Sequence, residues 1–96
     1  MSAYFVARLR ITNPARYNDY LEGTDDALAG TGGEVIAVDD ATVTLEGNAP
    51  PGRSVIIRFS DEAALRAWYE SPAYRRLKTI RDEAAEGVAI IVHGLS

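Results

Sequence analysis

Cysteine is absent, which excludes a disulfide framework, a thiolate metal site and a cysteine nucleophile. Its absence fits a reducing compartment, and a cytoplasmic location is expected. Histidine, tryptophan and methionine occur once each. A zinc site built from the lone His93 and nearby carboxylates finds no supporting spacing, so no metal is expected. No serine sits in the glycine-flanked elbow of a hydrolase nucleophile. Long apolar runs are missing too. The longest, VAIIV at 88–92, falls far short of a membrane span. The opening MSAYFVARLR has no basic stretch leading into an apolar one, so no signal peptide is expected. Positive charge is in deficit, with ten Lys and Arg against fourteen Asp and Glu and a net charge of −4. That balance argues against nucleic-acid partners and against anionic membrane surfaces.

What is present is a 96-residue chain expected to form one domain over residues 1–96. At this mass, folding buries roughly 64% of the unfolded surface, enough for a thin core that gains from a partner subunit. Alternation in AYFVARLRI places Phe5, Ala7, Leu9 and Ile11 on one face of a first strand. The opposite face holds Tyr4, Val6, Arg8 and Arg10. Asn13-Pro14 then opens a helix, with Asn as cap and Pro at the first helical position. Its buried stripe is read as Tyr17, Tyr20, Leu21, Thr24 and Leu28, and the glycines at 30, 32 and 33 end it. These glycines precede no helix, so they are no phosphate cradle.

EVIAVDDATVTLEG has two branched runs around Asp39-Asp40 and reads as a hairpin or a bulged, bent strand. NAPPG is a turn, and RSVIIRF is the next strand. Ser60 is the expected cap of a helix over DEAALRAWYE. Ser71-Pro72 interrupts it and starts another helix, with Leu77, Ile80 and Ala84, and also Tyr74 and Arg81, as inward candidates. Gly87 is expected to break that helix before a last strand, VAIIVHG.

The order is that of the ferredoxin-like βαββαβ plan, α+β, with helices on one face of an antiparallel sheet. The uncovered face should then be polar. Here Tyr4, Val6, Ile56, Val88, Ile90 and Val92 make both faces apolar. A second copy of the same sheet is the economical cover, so a homodimer through the sheet face is expected.

YFVARLRITNP, YNDY, GGE, LEG and SPAY, in this order and followed by an arginine, resemble the bacterial family called domain of unknown function 1330. The resemblance spans essentially the whole chain. It rests on Tyr17, Tyr20, Gly32, Gly33, Glu46, Gly47, Ser71, Tyr74 and Arg81. Asn13 stands where the pattern has aspartate, and His93 stands where it has an apolar or small residue. The resemblance implies the dimeric α+β barrel group, in which two ferredoxin-like sheets pack face to face. That group spans cofactor-free monooxygenases, haem-degrading enzymes, chlorite dismutases, muconolactone isomerases and ligand-responsive regulator domains. Such a fold does not fix a function.

Few residues here are suited to chemistry. Glu46, at the end of an apolar run, is a candidate desolvated base or simply a solvated strand end. His93 is a candidate proton carrier or a surface residue. Arg8 and Arg58 lie within apolar strands and need partners, for which Glu46 and Glu34 are available. In WYESPAYRRL, Trp68 shares a helix face with Ala64 and Leu65 and so points at the sheet. The stretch is either a packed corner capped by Ser71 or one wall of a cleft. In the cleft, Tyr20, Trp68 and Tyr74 would hold a ligand beside Arg81.

Two functional readings follow. One is an enzyme without a tightly bound cofactor, acting on a small aromatic or enolisable molecule. There Tyr74 or His93 moves a proton and Arg81 steadies an oxyanion. The other is a non-catalytic ligand-binding or structural homodimer.

Overall fold

A computed structural model describes residues 1–96. The elements are β1 (Ala3–Ile11), α1 (Pro14–Leu28), β2 (Glu34–Asp39), β3 (Arg53–Phe59), α2 (Glu62–Tyr69), α3 (Pro72–Ala84) and β4 (Ala85–His93). The four strands form one sheet in the order β2-β3-β1-β4, and every neighbouring pair is antiparallel. This is the ferredoxin-like arrangement expected from the alternating patterns.

The period-two reading of β1 holds residue by residue. Ala3, Phe5, Ala7 and Leu9 are buried under the helices, and Tyr4, Val6 and Arg8 are only half-buried on the other face. Ile57 and Phe59 from β3 join the buried set, with Leu65 and Trp68 from α2 and Tyr74, Leu77 and Ala84 from α3. Trp68 is the aromatic centre of this core. Its ring centroid lies 4.3 Å from Tyr74, 5.2 Å from Phe5 and 5.3 Å from Phe59. Such contacts add to what area burial alone contributes.

The caps follow the local chemistry. Asn13 accepts from Arg16 N–H, and Ser71 accepts from Tyr74 N–H, both at 3.1 Å. At α2 the cap is Asp61 rather than Ser60, because the Asp61 carboxylate reaches the Ala64 N–H at 2.8 Å. A carboxylate at this position also faces the positive end of the helix dipole.

Three further expectations change. Of the two readings of residues 34–47 the hairpin does not form, and β2 is instead a bulged strand, with a register shift between Val35 and Ala37, that stops at Asp39. Thr42–Gly47 therefore lies in an irregular loop whose Val43 and Leu45 are 85% and 92% exposed. Leu21 and Thr24 sit at the edge of the α1 stripe, and Tyr17 and Tyr20 carry its burial. Gly87 does not break the chain ahead of β4. It lies inside that strand opposite Leu9, where a Cβ would come within 2.0 Å of the Arg8 carbonyl oxygen. Only glycine permits that approach. The helix ends at Ala84 instead, whose carbonyl accepts from the N–H groups of Thr12 and Asn13 at 2.8 and 3.0 Å.

Arg8 and Arg58 find partners other than carboxylates. Arg8 Nη1 donates to Ser54 Oγ at 2.8 Å and to Thr42 Oγ1 and the Gly52 carbonyl at 3.2 Å, and Nη2 donates to the Pro50 carbonyl. It ties down both ends of the 40–52 loop. Arg58 reaches only Ser2 Oγ, at 3.4 Å, although Glu34 is its register partner on β2.

Candidate functional site

A cavity of about 100 Å³ lies between α1 and the helix-covered face of the sheet. Its floor is Phe5, Ala7 and Leu9 of β1 with Val55 and Ile57 of β3. Tyr17 and Tyr20 come from α1, Trp68 from α2 and Arg81 from α3. The mouth is marked by exposed Leu21 on one side and by exposed Val35 and Val38 of edge strand β2 on the other. The interruption at Ser71-Pro72 matters for this geometry. It turns the chain between α2 and α3, so that Trp68 and Arg81 reach the same space from different helices.

Arg81 is 8% exposed, and the nearest carboxylate, Asp82, is 3.9 Å away and points to solvent. Its guanidinium donates instead to the Tyr74 hydroxyl at 2.9 Å, and Tyr74 Oη lies 2.8 Å from Tyr20 Oη. Burial works against the Arg81 charge, but the oxygens of Tyr74, Tyr20 and Tyr69 outweigh it and hold the group above its ordinary value. Burial also raises Tyr20 well above the usual phenol range, with Tyr74 adding to the shift. Tyr74 moves the same way for the same first reason, with Arg81 pulling against it. Both hydroxyls are therefore neutral donors near pH 7. Trp68 is 4% exposed, and its Nε1–H has no partner. A buried unsatisfied donor costs about 1–3 kcal/mol.

Of the residues picked from sequence, the fold brings Tyr20, Trp68 and Arg81 to the cavity wall. Tyr74 sits directly behind, 1% exposed, bridging Tyr20 and Arg81 without lining the space. His93 and Glu46 lie outside. His93 Nε2 is 2.5 Å from Glu62 Oε1 on the surface, and Glu46 is exposed in the 40–52 loop with no ion pair recorded. An apolar run in sequence does not bury its last residue when the run never joins a sheet.

Arg53 was missed by the sequence reading. It shares the helix-side face with Val55 and Ile57, lies over the Tyr17 ring at 5.1 Å and lines the cavity. Two bonds of 2.7 and 3.0 Å fork it onto Asp40 at the start of the loop. Its position two residues before Val55 in an alternating strand was the available signal. No three His, Cys, Asp or Glu side chains gather as a metal cluster, and no helix is long and apolar enough to cross a membrane.

The family of domain of unknown function DUF1330 matches residues 2–95. The chain belongs to that family. Comparison with curated proteins found no match. Among solved structures, a protein of unknown function from Rhodopseudomonas palustris is similar at a TM-score of 0.82 and 17% identity, covering 99% of this chain and 83% of that one. A dimeric ferredoxin-like protein of unknown function from Jannaschia sp. CCS1 gives 0.75 and 14%, covering 98% and 100%. SnoaB, a cofactor-independent oxygenase from Streptomyces nogalater, gives 0.67 and 16%, covering 99% and 94%. At these identities the likeness shows a shared ferredoxin-like fold, and no activity is carried across by fold alone.

Proposed function

We propose that this DUF1330 protein is a homodimer packed through its open sheet face. Each protomer binds or converts a small aromatic or enolisable molecule in the cavity under α1, without a tightly bound cofactor. The observation that carries the ligand reading is the cavity itself, apolar in most of its lining yet bordered by the buried Arg81. Apolar space with a few convergent polar groups is the usual make-up of a small-molecule site.

Area supports the dimer. A compact monomer of 10.4 kDa exposes about 5,400 Å² by the mass-scaling relation, while this chain exposes 6180 Å². The surplus is close to the about 800 Å² that each partner contributes to a standard interface. Much of it is apolar: Val6 and Ile56 at the sheet centre are flanked by Val88, Ile90 and Val92. The dimeric relative from Jannaschia and the oxygenase SnoaB make both halves of the proposal worth testing.

A second reading, ligand binding without catalysis, draws on a different observation. His93 and Glu46 lie outside the cavity lining, and burial keeps the Tyr20 hydroxyl protonated, so no buried base faces the space. Light scattering on the purified chain tests the dimer, where a mass near 10.4 kDa at micromolar concentration would overturn it. Thermal-shift screening of phenols, 1,3-dicarbonyls and small acids tests the cavity. Absence of any stabilising compound would refute ligand binding, and binding with no turnover under air would favour the second reading.

A further inference from the structure

A second cavity and a charged cluster lie apart from the site under α1. The cavity, about 180 Å³, is a groove between α2 and the edge strand β4. Phe5 of β1 and residues 89–91 of β4 form its floor, and Leu65, Arg66 and Tyr69 of α2 form its wall. It exists because α2 packs on β1 and β3 and leaves the helix side of β4 nearly bare. On that side of the sheet Phe5 and Phe59 are buried, whereas Ala89 is exposed and Ile91 only half-buried. The groove opens away from the face proposed to pair two copies.

The charged cluster closes one end of the groove. Glu62, Arg66 and Tyr69 follow one another at helical spacing, so they share one side of α2. His93 projects to the same face of β4 as Ala89 and Ile91. Its Nε2 is 2.5 Å from Glu62 Oε1, and Arg66 Nε is 2.6 Å from Glu62 Oε2. The hydrogen bond from His93, and then Arg66, hold the Glu62 carboxyl below its ordinary value, so it is ionised near pH 7. An ionised carboxylate has no proton to give, so His93 Nε2–H is the donor. In the neutral ring the other nitrogen, Nδ1, is then an acceptor, and it makes no hydrogen bond within the protein. Arg66 has further N–H groups to offer, but Glu62 already meets its charge.

We infer that this groove is a second ligand site, independent of the cavity under α1, and that it takes a neutral aromatic ring bearing one hydroxyl. A cavity of about 150 Å³ accepts benzene, so 180 Å³ holds one substituted ring. Phe5 and Tyr69, with centroids 6.0 Å apart, supply aromatic surface for it to pack on. A phenolic hydroxyl both donates and accepts, which suits His93 Nδ1 and the Arg66 N–H groups together. A carboxylate meets no spare positive charge there, and a methyl ether has no proton for Nδ1.

The test is a titration of the full chain with p-cresol, its methyl ether and benzoate. Binding is followed by thermal shift and by the ring resonances of His93, the chain's single histidine. p-Cresol is expected to move those resonances and to bind about two- to tenfold more tightly than the ether, the scale of one neutral hydrogen bond. In His93→Leu the two should bind alike. Ala89→Phe fills the groove at an exposed floor residue that does not line the cavity under α1, so it should fold and abolish binding of both. An undiminished preference for p-cresol in folded His93→Leu overturns the inference. So does benzoate binding more tightly than p-cresol, or failure of all three to bind. If p-cresol binds without moving His93 and survives Ala89→Phe, it sits elsewhere, and this inference falls while the reading of the cavity under α1 stands.

Discussion

The two faces of this sheet are built from the same strands and the same alternation, yet they end in different states. Under the helices, Phe5, Ile57 and Phe59 are buried within one chain, packed on Trp68 and Leu77. On the other face, Ile90 stays 55% exposed although Val6 and Ile90 are register partners just as Phe5 and Ile91 are. Side-chain chemistry does not distinguish them, since both sets are branched or aromatic. The difference is which face the βαββαβ connections cover. A crossover helix can lie on only one side of a sheet, and both helical crossovers here turn to the same side. One face is thus completed by the chain, and the other is left for something outside it.

Substitutions can break that comparison at several strengths. Phe59→Ala on the covered face should cost the most, about 3–5 kcal/mol in urea unfolding, because the ring is 1% exposed and leaves a hole against Trp68. A loss below about 1 kcal/mol would mean that the core is far looser than described. Ile90→Asp on the open face should instead act on assembly. If the proposed sheet-face dimer forms, light scattering should fall from that dimer to a 10.4 kDa monomer, since its isologous interface would bury the new charge twice. A variant that remains dimeric would move the interface elsewhere.

The polar part of the covered face has its own signature. Tyr74→Phe should cost about 1–3 kcal/mol, since it removes the 2.9 Å hydrogen bond from the buried Arg81 guanidinium and leaves that cation with one acceptor fewer. The raised values of Tyr20 and Tyr74 add a pH test. Folded values above unfolded ones give stability that is complete below about pH 10, where unfolded tyrosines begin to ionise, and lost as pH rises beyond it. Tyr74→Phe should therefore flatten the alkaline loss seen in urea midpoints between pH 8 and 11. An unchanged slope would show that these hydroxyls are not desolvated.

The smallest effect belongs to the surface. The Glu62 carboxyl is held below its ordinary value by the hydrogen bond from His93 and then by Arg66. Whatever this contributes is present above the unfolded value and fades as pH falls through the folded one. Exposed pairs contribute little, so Glu62→Gln should leave the urea midpoint at pH 7 unchanged while shifting the His93 ring resonances. A large loss of stability would mean that β4 and α2 depend on this contact.

Particular residues show how far the sequence reaches. Phe5, Ala7 and Leu9 could be placed inside because a strand projects alternate side chains to opposite faces whatever surrounds it. Asn13 and Ser71 could be named as caps because the bond to the N–H three residues on closes locally. Trp68 could be aimed at the sheet from its spacing to Ala64 and Leu65. Ser60 was named as the cap of α2, whereas the Asp61 carboxylate one residue on makes the bond to the Ala64 N–H. The Val43–Leu45 run was misplaced in a strand because strand formation needs a partner strand, and the sequence names none; Glu46 follows that run into the loop and is solvated, one of its two readings. Arg53 was overlooked because a charged residue opening a strand looks solvated until its fork onto Asp40 is in place.

Local periodicity, capping chemistry and the excess of apolar residues on both strand faces were thus determined by the sequence alone, because each depends on neighbours within a few residues. The meeting of Tyr20, Trp68 and Arg81 around one cavity was decided only by the tertiary structure. They stand 48 and 61 residues apart from the first to the others. Their contact depends on how the helices cross the sheet, and so does the isolation of His93 and Glu46 from the site.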